Sequence, residues 1–357
     1  MSIGIIIPSY CPDGSIVKLV RELKSRNDTN VLVVDDGSGD DFIYSLTFSE
    51  VEKEGCTVIH HEKNLGKGVA IKTGIRYFAA HLNGIEGVVT ADGDGQHLTT
   101  DIFRISDMLA KKKKSLVLGT RNFHEGNTPL RSRIGNGFSC WYFKMDTGMK
   151  CPDTQTGLRG IPSCMFELAL ETEGDRYDYE MNFLTAAAKT GQTIEYLPII
   201  TVYEDNNSVS HFRTIRDSYL VYKSAFRFAM ASLTCAAVDL GLFTLVSSLL
   251  PVALVYTVLI ATVNARLLSG GLNFWLNYKW SFSTKRATGY EAVKYFILFC
   301  AQMLASWGGV YALSFLPLPL VAVKMIVDST LFVFSYFIQK NWVFAGNATQ
   351  GREVAKG

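Results

Sequence analysis

From Phe228 onward the chain carries four apolar stretches close to the length of a bilayer crossing. No other feature restricts its folding as much. Phe228–Leu250 runs 23 residues with one charge, Asp239. Val252–Leu276 follows Pro251 and contains Arg266. Tyr295–Leu316 is uncharged, and Leu318–Ile338 carries Lys324 and Asp328. About 20 helical residues cross the hydrocarbon layer. Buried core helices of a soluble domain are the competing reading, but four such stretches joined by very short turns predict two transmembrane hairpins over 228–345. Asp239 and Arg266 lie at similar depths on either side of Pro251 and are expected to pair, because an isolated charge there is costly.

The loops predict orientation. The turns at Pro251 and in "LPLPL" are uncharged, whereas the middle loop holds Lys279, Lys285, Arg286 and Lys294. The approach to the first span holds Arg213, Arg216, Lys223 and Arg227, and the tail holds Lys340, Arg352 and Lys356. Positive charge stays in the cytoplasm, so both termini and the middle loop are expected there, with residues 346–357 as a cytoplasmic tail. The motif "NFWLNYKWSF" (273–282) returns as "SYFIQKNWVF" (335–344) at an offset of 62 residues, so the two hairpins look related. Just ahead of the spans, Phe212, Ile215, Tyr219, Tyr222 and Phe226 recur at helical spacing, interleaved with the basic residues. That pattern predicts an amphipathic helix over 210–227 lying in the membrane interface. A helix packed on a sheet is the alternative.

Residues 1–209 read differently. Ile3–Ile7, Val31–Val34, Thr57–Ile59, Val88–Thr90 and Leu116–Leu118 are short apolar runs typical of strands buried on both faces. Ile16–Lys24 and Val69–Leu82 have helical spacing. The alternation predicts a doubly wound α/β sheet, with ligands outside the carboxyl ends of its strands. The net charge of +2 gives no general attraction to nucleic acid. Seven scattered cysteines without a C-x-x-C pair argue against disulfides or structural zinc and suit a reducing compartment.

Four motifs fall at predicted strand ends: "PSY", "DDGS", "DGDGQH" and "GTR". In the third, Asp92 and Asp94 are separated by a single glycine, with Gly95 next and Gln96 offering a neutral oxygen. Two carboxylates with no bulk between them suit Mg²⁺ or Mn²⁺, which take one or two carboxylates plus substrate phosphate oxygens. Arg121 and Arg131 supply guanidinium forks suited to phosphate, Arg133 reads equally as solvated charge, and the lysine run 111–114 reads better as a solvated helix C-terminus. "NLGKG" lacks P-loop spacing, so Lys67 is as much a turn residue as a phosphate ligand. His60 and His61 have no third ligand in view, and His97 is expected to shape its loop.

The order "IIIPSY", "VLVVDDGSGD", "NLGKGVAIKTGI", "VVTADGDGQH", "GTRN", "DTQTGLRG" and "YDYEMNFL" resembles a family 2 glycosyltransferase with a GT-A fold. The dolichyl-phosphate mannose synthase and polyprenyl-phosphate glycosyltransferase branch is most similar. The membrane half resembles the GtrA family. The resemblance implies transfer of a hexose from a GDP-mannose or UDP-glucose type donor to a polyprenyl phosphate, with inversion and a divalent metal. Residue by residue, it implies that Pro8, Tyr10 and Asp36 cradle the nucleotide. Asp92, Asp94 and Gln96 would hold the metal. Arg121 and Arg131 would meet the acceptor phosphate. Asp153, Gln155 and Arg159 would line the sugar and acceptor side, and the helix opening at Asp178–Glu180 would close the site. Where the family often has Asn and Glu after the strand-one Tyr, this chain has Cys11 and Pro12, and Asp13 follows as a donor-side residue.

A processive polysaccharide synthase shares the fold, but the Q/R-x-x-R-W motif it usually carries is absent. A lipid-linked sugar translocator or scaffold is the reading outside enzymology, against which the intact "DGDGQH" and "DTQTGLRG" argue. The implied partners are a nucleotide sugar, a polyprenyl phosphate and the plasma membrane. Homo-oligomers stay open.

Overall fold

The computed structural model describes residues 2–26, 29–123, 130–200, 219–249, 264, 267–282, 289–313, 315–318 and 320–345. The chain divides into two compact units, Met1–Val221 and Tyr222–Gly357.

The first unit is a seven-stranded sheet flanked by helices. Its strands are β1 (Ser2–Ser9), β2 (Asn30–Asp35), β3 (Thr57–His60), β4 (Ile85–Thr90), β5 (Leu116–Arg121), β6 (Arg159–Pro162) and β7 (Ile194–Ile199). The helices are α1 (Ser15–Lys24), α2 (Phe42–Lys53), α3 (Lys67–His81), α4 (Thr99–Lys111), α5 (Leu130–Thr147), α6 (Phe166–Glu171) and α7 (Asp178–Lys189). The strand order is β3-β2-β1-β4-β6-β5-β7. β1 pairs in parallel with β2 and with β4, so the winding reverses between β1 and β4, where ligands gather in such sheets. The five strands expected from sequence are present, and α3 starts two residues before the predicted Val69.

The continuous apolar run of β1 follows from burial on both faces. Ile5 and Ile7 join a core with Ile16 and Val20 of α1, Val51 of α2 and Ile102 of α4. Ile6 joins the opposite core with Ile71 and Ile75 of α3 and Phe183 of α7. Alternate side chains point to opposite faces, so each face needs its own helices. β6 departs from the simple winding: it runs antiparallel to both β4 and β5. Its four residues, Arg-Gly-Ile-Pro, carry too little pattern to announce a strand.

In the second unit, α8 (Lys223–Leu249), α9 (267–276), α10 (Gly289–Leu313) and α11 (Leu320–Ile338) are helical. Among the described residues, one helix, Lys223–Val246, is by itself long and apolar enough to cross a membrane. α9 and α11 each close on a π-helical turn, Asn277–Ser281 and Gln339–Val343. These turns are the repeated motif, and their equivalent residues meet. Asn277 Nδ2 donates to Gln339 Oε1 at 3.1 Å across an offset of 62. Phe274 faces Phe344 at 5.8 Å, and its repeat mate Tyr336 faces Phe282 at 5.9 Å. Arg227 Nη1 donates to the Trp280 carbonyl and Lys294 Nζ to the Trp342 carbonyl, both at 3.1 Å. Each cation also lies over the indole it caps. Asp239 accepts from Ser269 Oγ at 2.8 Å. Its expected pairing with Arg266, and most of the expected amphipathic helix at 210–227, lie outside the described residues.

Candidate functional site

Four strand ends converge where the winding reverses. The first group, after β1 and β2, is a hydrogen-bonded frame. Asp36 N donates to the Ser9 carbonyl at 2.7 Å, tying β2 to β1. The buried Asp35 carboxylate accepts from Ser38 N at 2.9 Å and Ser38 Oγ at 2.6 Å, and contacts His60 Nδ1 at 2.8 Å. Asp36 accepts from Leu65 N at 2.9 Å and Gly66 N at 2.7 Å, and contacts His61 Nδ1 at 2.9 Å. His61 Nε2 lies 3.1 Å from Thr73 Oγ1. His60 and His61 thus brace the two aspartates. Asp36, expected to face the nucleotide base, has a buried carboxylate that anchors the "NLGKG" turn.

The segment after β1 is held to this frame. Cys11 N donates to Ser38 Oγ at 2.8 Å, with Cys11 at φ +49°. Asparagine tolerates that left-handed conformation better than most residues. Tyr10 is exposed and Pro8 half-buried at the end of β1. Asp13 is exposed and accepts from Ser15 N at 2.9 Å, while Ser15 Oγ reaches the Gly93 carbonyl at 3.1 Å. Asp13 therefore steadies the start of α1 against the loop after β4.

That loop holds the second acidic pair. Asp92 Oδ1 lies 2.6 Å from Lys67 Nζ, and the same Nζ lies 2.9 Å from Glu180 Oε1. His97 Nε2 is 3.4 Å from Asp92 Oδ2. Burial alone would raise Asp92, but Lys67 and His97 hold its carboxyl well below the usual range. Burial alone would lower Lys67, and the Asp92 and Glu180 carboxylates hold it above the usual lysine value. Asp94 differs. Burial and the Asp92 charge push its carboxyl up. Its described contact is the backbone amide of Gln96, donating at 3.1 Å.

Lys67 sits at the first turn of α3 because Gly66 adopts φ +108°, where a Cβ would strike the Asp175 carbonyl. The "DTQTG" segment closes in from the other side. Thr90 Oγ1 donates to the Gly157 carbonyl at 2.8 Å, and a Cβ on Gly157 would overlap the Asp92 carboxylate. Glycine is required there by close approach rather than by backbone angle.

Arg121 and Asp153 form a bidentate pair, with Nε to Oδ2 at 2.7 Å and Nη2 to Oδ1 at 3.0 Å. The fully buried Asp153 also accepts from Arg121 N at 3.2 Å and Gln155 N at 3.0 Å. Its oxygens are therefore engaged in aiming Arg121, whose guanidinium lies over the Phe123 ring. Gln155 is exposed. Arg159, expected to touch the sugar, is 2% exposed. It donates to the carbonyls of Thr156 at 2.9 Å, Glu180 at 2.6 Å and Thr154 at 3.3 Å. A guanidinium enclosed by main chain is a brace, and this one ties the first turn of α7 to the "DTQTG" segment. Arg131 lies on α5, with its side chain outside the described residues.

The residues present fit a divalent ion. Asp94 is a half-buried carboxylate raised by desolvation and by its neighbour's charge, and the available donors are hard oxygens of Asp92, Asp94 and Gln96. Among the described residues no cluster of three His, Cys, Asp or Glu side chains could enclose a metal. An ion here would depend on oxygens from a bound substrate. Sequence reasoning left Lys67 undecided and gave Glu180 no part beside Asp92, because only the fold joins positions so far apart in the chain.

Residues 4–166 match the profile of Glycosyl transferase family 2, and residues 211–344 match GtrA/DPMS, transmembrane domain. UDP-N-acetylglucosamine–dolichyl-phosphate N-acetylglucosaminyltransferase of Methanococcus voltae is 32% identical, over 57% of this chain and 86% of its own. An uncharacterized protein of Methanocaldococcus jannaschii is 30% identical, over 57% of this chain and 82% of its own. Undecaprenyl-phosphate mannosyltransferase of Micrococcus luteus is 26% identical, over 57% of this chain and 84% of its own.

Proposed function

This chain is a glycosyltransferase of family 2 carrying a GtrA-type transmembrane domain, and from that premise we propose that it moves a hexose from a nucleotide sugar to a polyprenyl phosphate at the cytoplasmic leaflet. The observation that carries the reading is the unequal pair at the end of β4, Asp92 balanced by Lys67 and Asp94 with its carboxyl pushed up, beside an arginine aimed by Asp153. The names of two relatives, one acting on dolichyl phosphate and one on undecaprenyl phosphate, support the acceptor class.

In this mechanism Asp92, Asp94 and Gln96 would hold Mg²⁺ or Mn²⁺, which when bound would offset charge developing on the departing diphosphate. Pro8, Tyr10 and Asp13 flank the nucleotide, Asp36 fixes the turn beneath it, and Gln155 reaches toward the sugar. Arg121 and Arg131 hold the acceptor phosphate behind the anomeric carbon. An acceptor oxygen forms the new bond to that carbon as its bond to the diphosphate oxygen breaks, inverting the centre. A phosphomonoester with a second pKa near ~6 is already a dianion at neutral pH, so the attacking oxygen has no proton to lose. No side chain then acts as an indispensable base, and the engagement of both Asp153 oxygens supports that view. Placement and charge stabilisation supply the rate.

We assign residues 1–209 to the catalytic domain, 210–227 to an interfacial helix, 228–345 to four spans in two hairpins and 346–357 to the tail. Both termini lie in the cytoplasm and the protein resides in the plasma membrane. The test is thin-layer analysis of membranes given labelled nucleotide sugars and short polyprenyl phosphates. One lipid-linked hexose is expected. A polymer, or no lipid product with any donor, would overturn the reading.

A further inference from the structure

Lys67 holds two carboxylates of unequal standing. Its ammonium lies 2.6 Å from Asp92 Oδ1 and 2.9 Å from Glu180 Oε1. The Glu180 side chain is 8% exposed and the Asp92 side chain 30%, so Asp92 is the partner nearer solvent. Lys67 and Glu180 also belong to one piece of structure. Val69 N of α3 donates to the Asp175 carbonyl at 3.2 Å, and a Cβ on Gly68 would strike Tyr179. Further along α3, the buried Lys72 donates to the carbonyls of Thr172 at 2.7 Å and Gly174 at 3.1 Å. The first turn of α7, which carries Glu180, is thereby fixed on α3. Asp92 belongs to the separate loop after β4. Glu180 is therefore the permanent partner of the ammonium, and Asp92 the exchangeable one.

The charges point the same way. With His97 neutral, Asp92, Asp94 and Glu180 bring three carboxylates and Lys67 one ammonium. Two negative charges are left over, enough to balance a single divalent ion. An ion that takes Asp92 Oδ1 has to compete with an ammonium that already holds this oxygen at hydrogen-bond distance.

We propose that Lys67 is a built-in counter-ion: it keeps the affinity of this site for a free divalent ion low, and gives up Asp92 when a nucleotide diphosphate brings further negative charge. The ammonium then serves the diphosphate, with Glu180 still holding it, and ion and donor bind together rather than in turn. Lys67 keeps its proton throughout, because two carboxylates hold it above the usual lysine value. The proposal rests on the nucleotide-sugar donor proposed above, and the two fail separately in the experiment.

The full chain in detergent micelles is titrated with Mn²⁺ alone and with Mn²⁺ plus UDP or GDP, free Mn²⁺ being read from its electron paramagnetic resonance signal. Binding that Asp94→Asn loses marks the ion at this site. Lys67→Met is expected to bind Mn²⁺ alone about 10- to 100-fold more tightly than the wild type, the range over which groups beside a metal's ligands act. Lys67→Arg keeps the charge and should stay near the wild type. UDP or GDP should tighten Mn²⁺ binding more in the wild type than in Lys67→Met, because only the wild type has an ammonium to hand over. Melting gives a second reading if Lys67→Met is too unstable to titrate: Mn²⁺ alone should raise its melting temperature more than that of the wild type, by mass action. Equal or weaker Mn²⁺ binding in Lys67→Met, which a merely structural lysine predicts, would overturn the proposal. So would Lys67→Arg binding as tightly as Lys67→Met, a nucleotide effect of the same size in both chains, or Mn²⁺ binding that Asp94→Asn leaves intact. A wild type that shows all the expected binding, yet forms no lipid-linked hexose from any donor, would overturn the proposed function and leave the role of Lys67 standing.

Discussion

Two acidic pairs stand at neighbouring strand ends of the first unit, Asp35–Asp36 after β2 and Asp92–Asp94 after β4. On paper they are alike: each follows an apolar strand, and each is set among glycines. In the fold they are opposites. Asp35 and Asp36 accept two hydrogen bonds each from main chain or serine and contact a histidine apiece. Asp92 is balanced by an ammonium, and Asp94 is pushed toward its neutral form by burial and by Asp92. A carboxylate whose acceptor capacity is filled by its own chain stabilises that chain. One left short of partners in the same crevice is set for a ligand.

The contrast breaks most sharply at Asp94. Asp94→Asn is expected to cost about 10²–10³-fold in transfer, as when an electrostatic stabiliser is removed. The fold should gain, because the variant no longer carries a half-buried charge beside Asp92. A carboxylate raised in the folded state weakens folding as pH rises above its unfolded value near ~4. The wild type should therefore melt below Asp94→Asn at pH 7, and the gap should close in acid. Near-normal turnover at saturating Mg²⁺ or Mn²⁺ would remove Asp94 from the chemistry.

Lys67→Met should leave Asp92 and Glu180 facing each other without a cation. Breaking a buried pair costs about 3–5 kcal/mol, and the partial exposure of Asp92 places this one near ~3. A denaturant midpoint unchanged by the substitution would show that Lys67 is not the charge that balances them. Asp36→Asn tests the other pair. It should lower stability by about 1–3 kcal/mol through mismatched buried donors, with transfer falling only as far as stability explains. Specific loss of donor binding at full stability would return Asp36 to the nucleotide.

Asp153→Asn should weaken the aim of Arg121. Transfer is expected to fall less than the ~10²–10⁴-fold typical of a lost acid–base group, with no rescue at high pH. A larger loss that high pH restores would make Asp153 a base and bring a hydroxyl acceptor back into consideration. The smallest effect is expected at Cys11, beside the frame that Asp35 supports. Cys11→Asn should raise stability by a few tenths to about 1 kcal/mol, because asparagine suits the left-handed backbone. A lower melting temperature would show that the thiol matters more than the angle.

Local pattern carried much of this protein. Continuous apolar runs on β1 and β2 marked buried strands, because a strand covered on both faces has no side to leave polar. The spacing of Asp92 and Asp94 marked a candidate site, because two carboxylates one residue apart after a strand stay on one loop whatever the rest of the chain does. The repeat at 273–282 and 335–344 marked two related closing turns, whose equivalent residues Asn277 and Gln339 then proved to touch. Tertiary structure decided what depends on distant partners. It made Arg159 a buried brace on α7, turned Asp36 into an anchor for the turn at Gly66, and set Lys67 between Asp92 and Glu180. Charge and shape can be read along a chain, but whether a polar group is already satisfied depends on residues that only folding brings within about 3 Å.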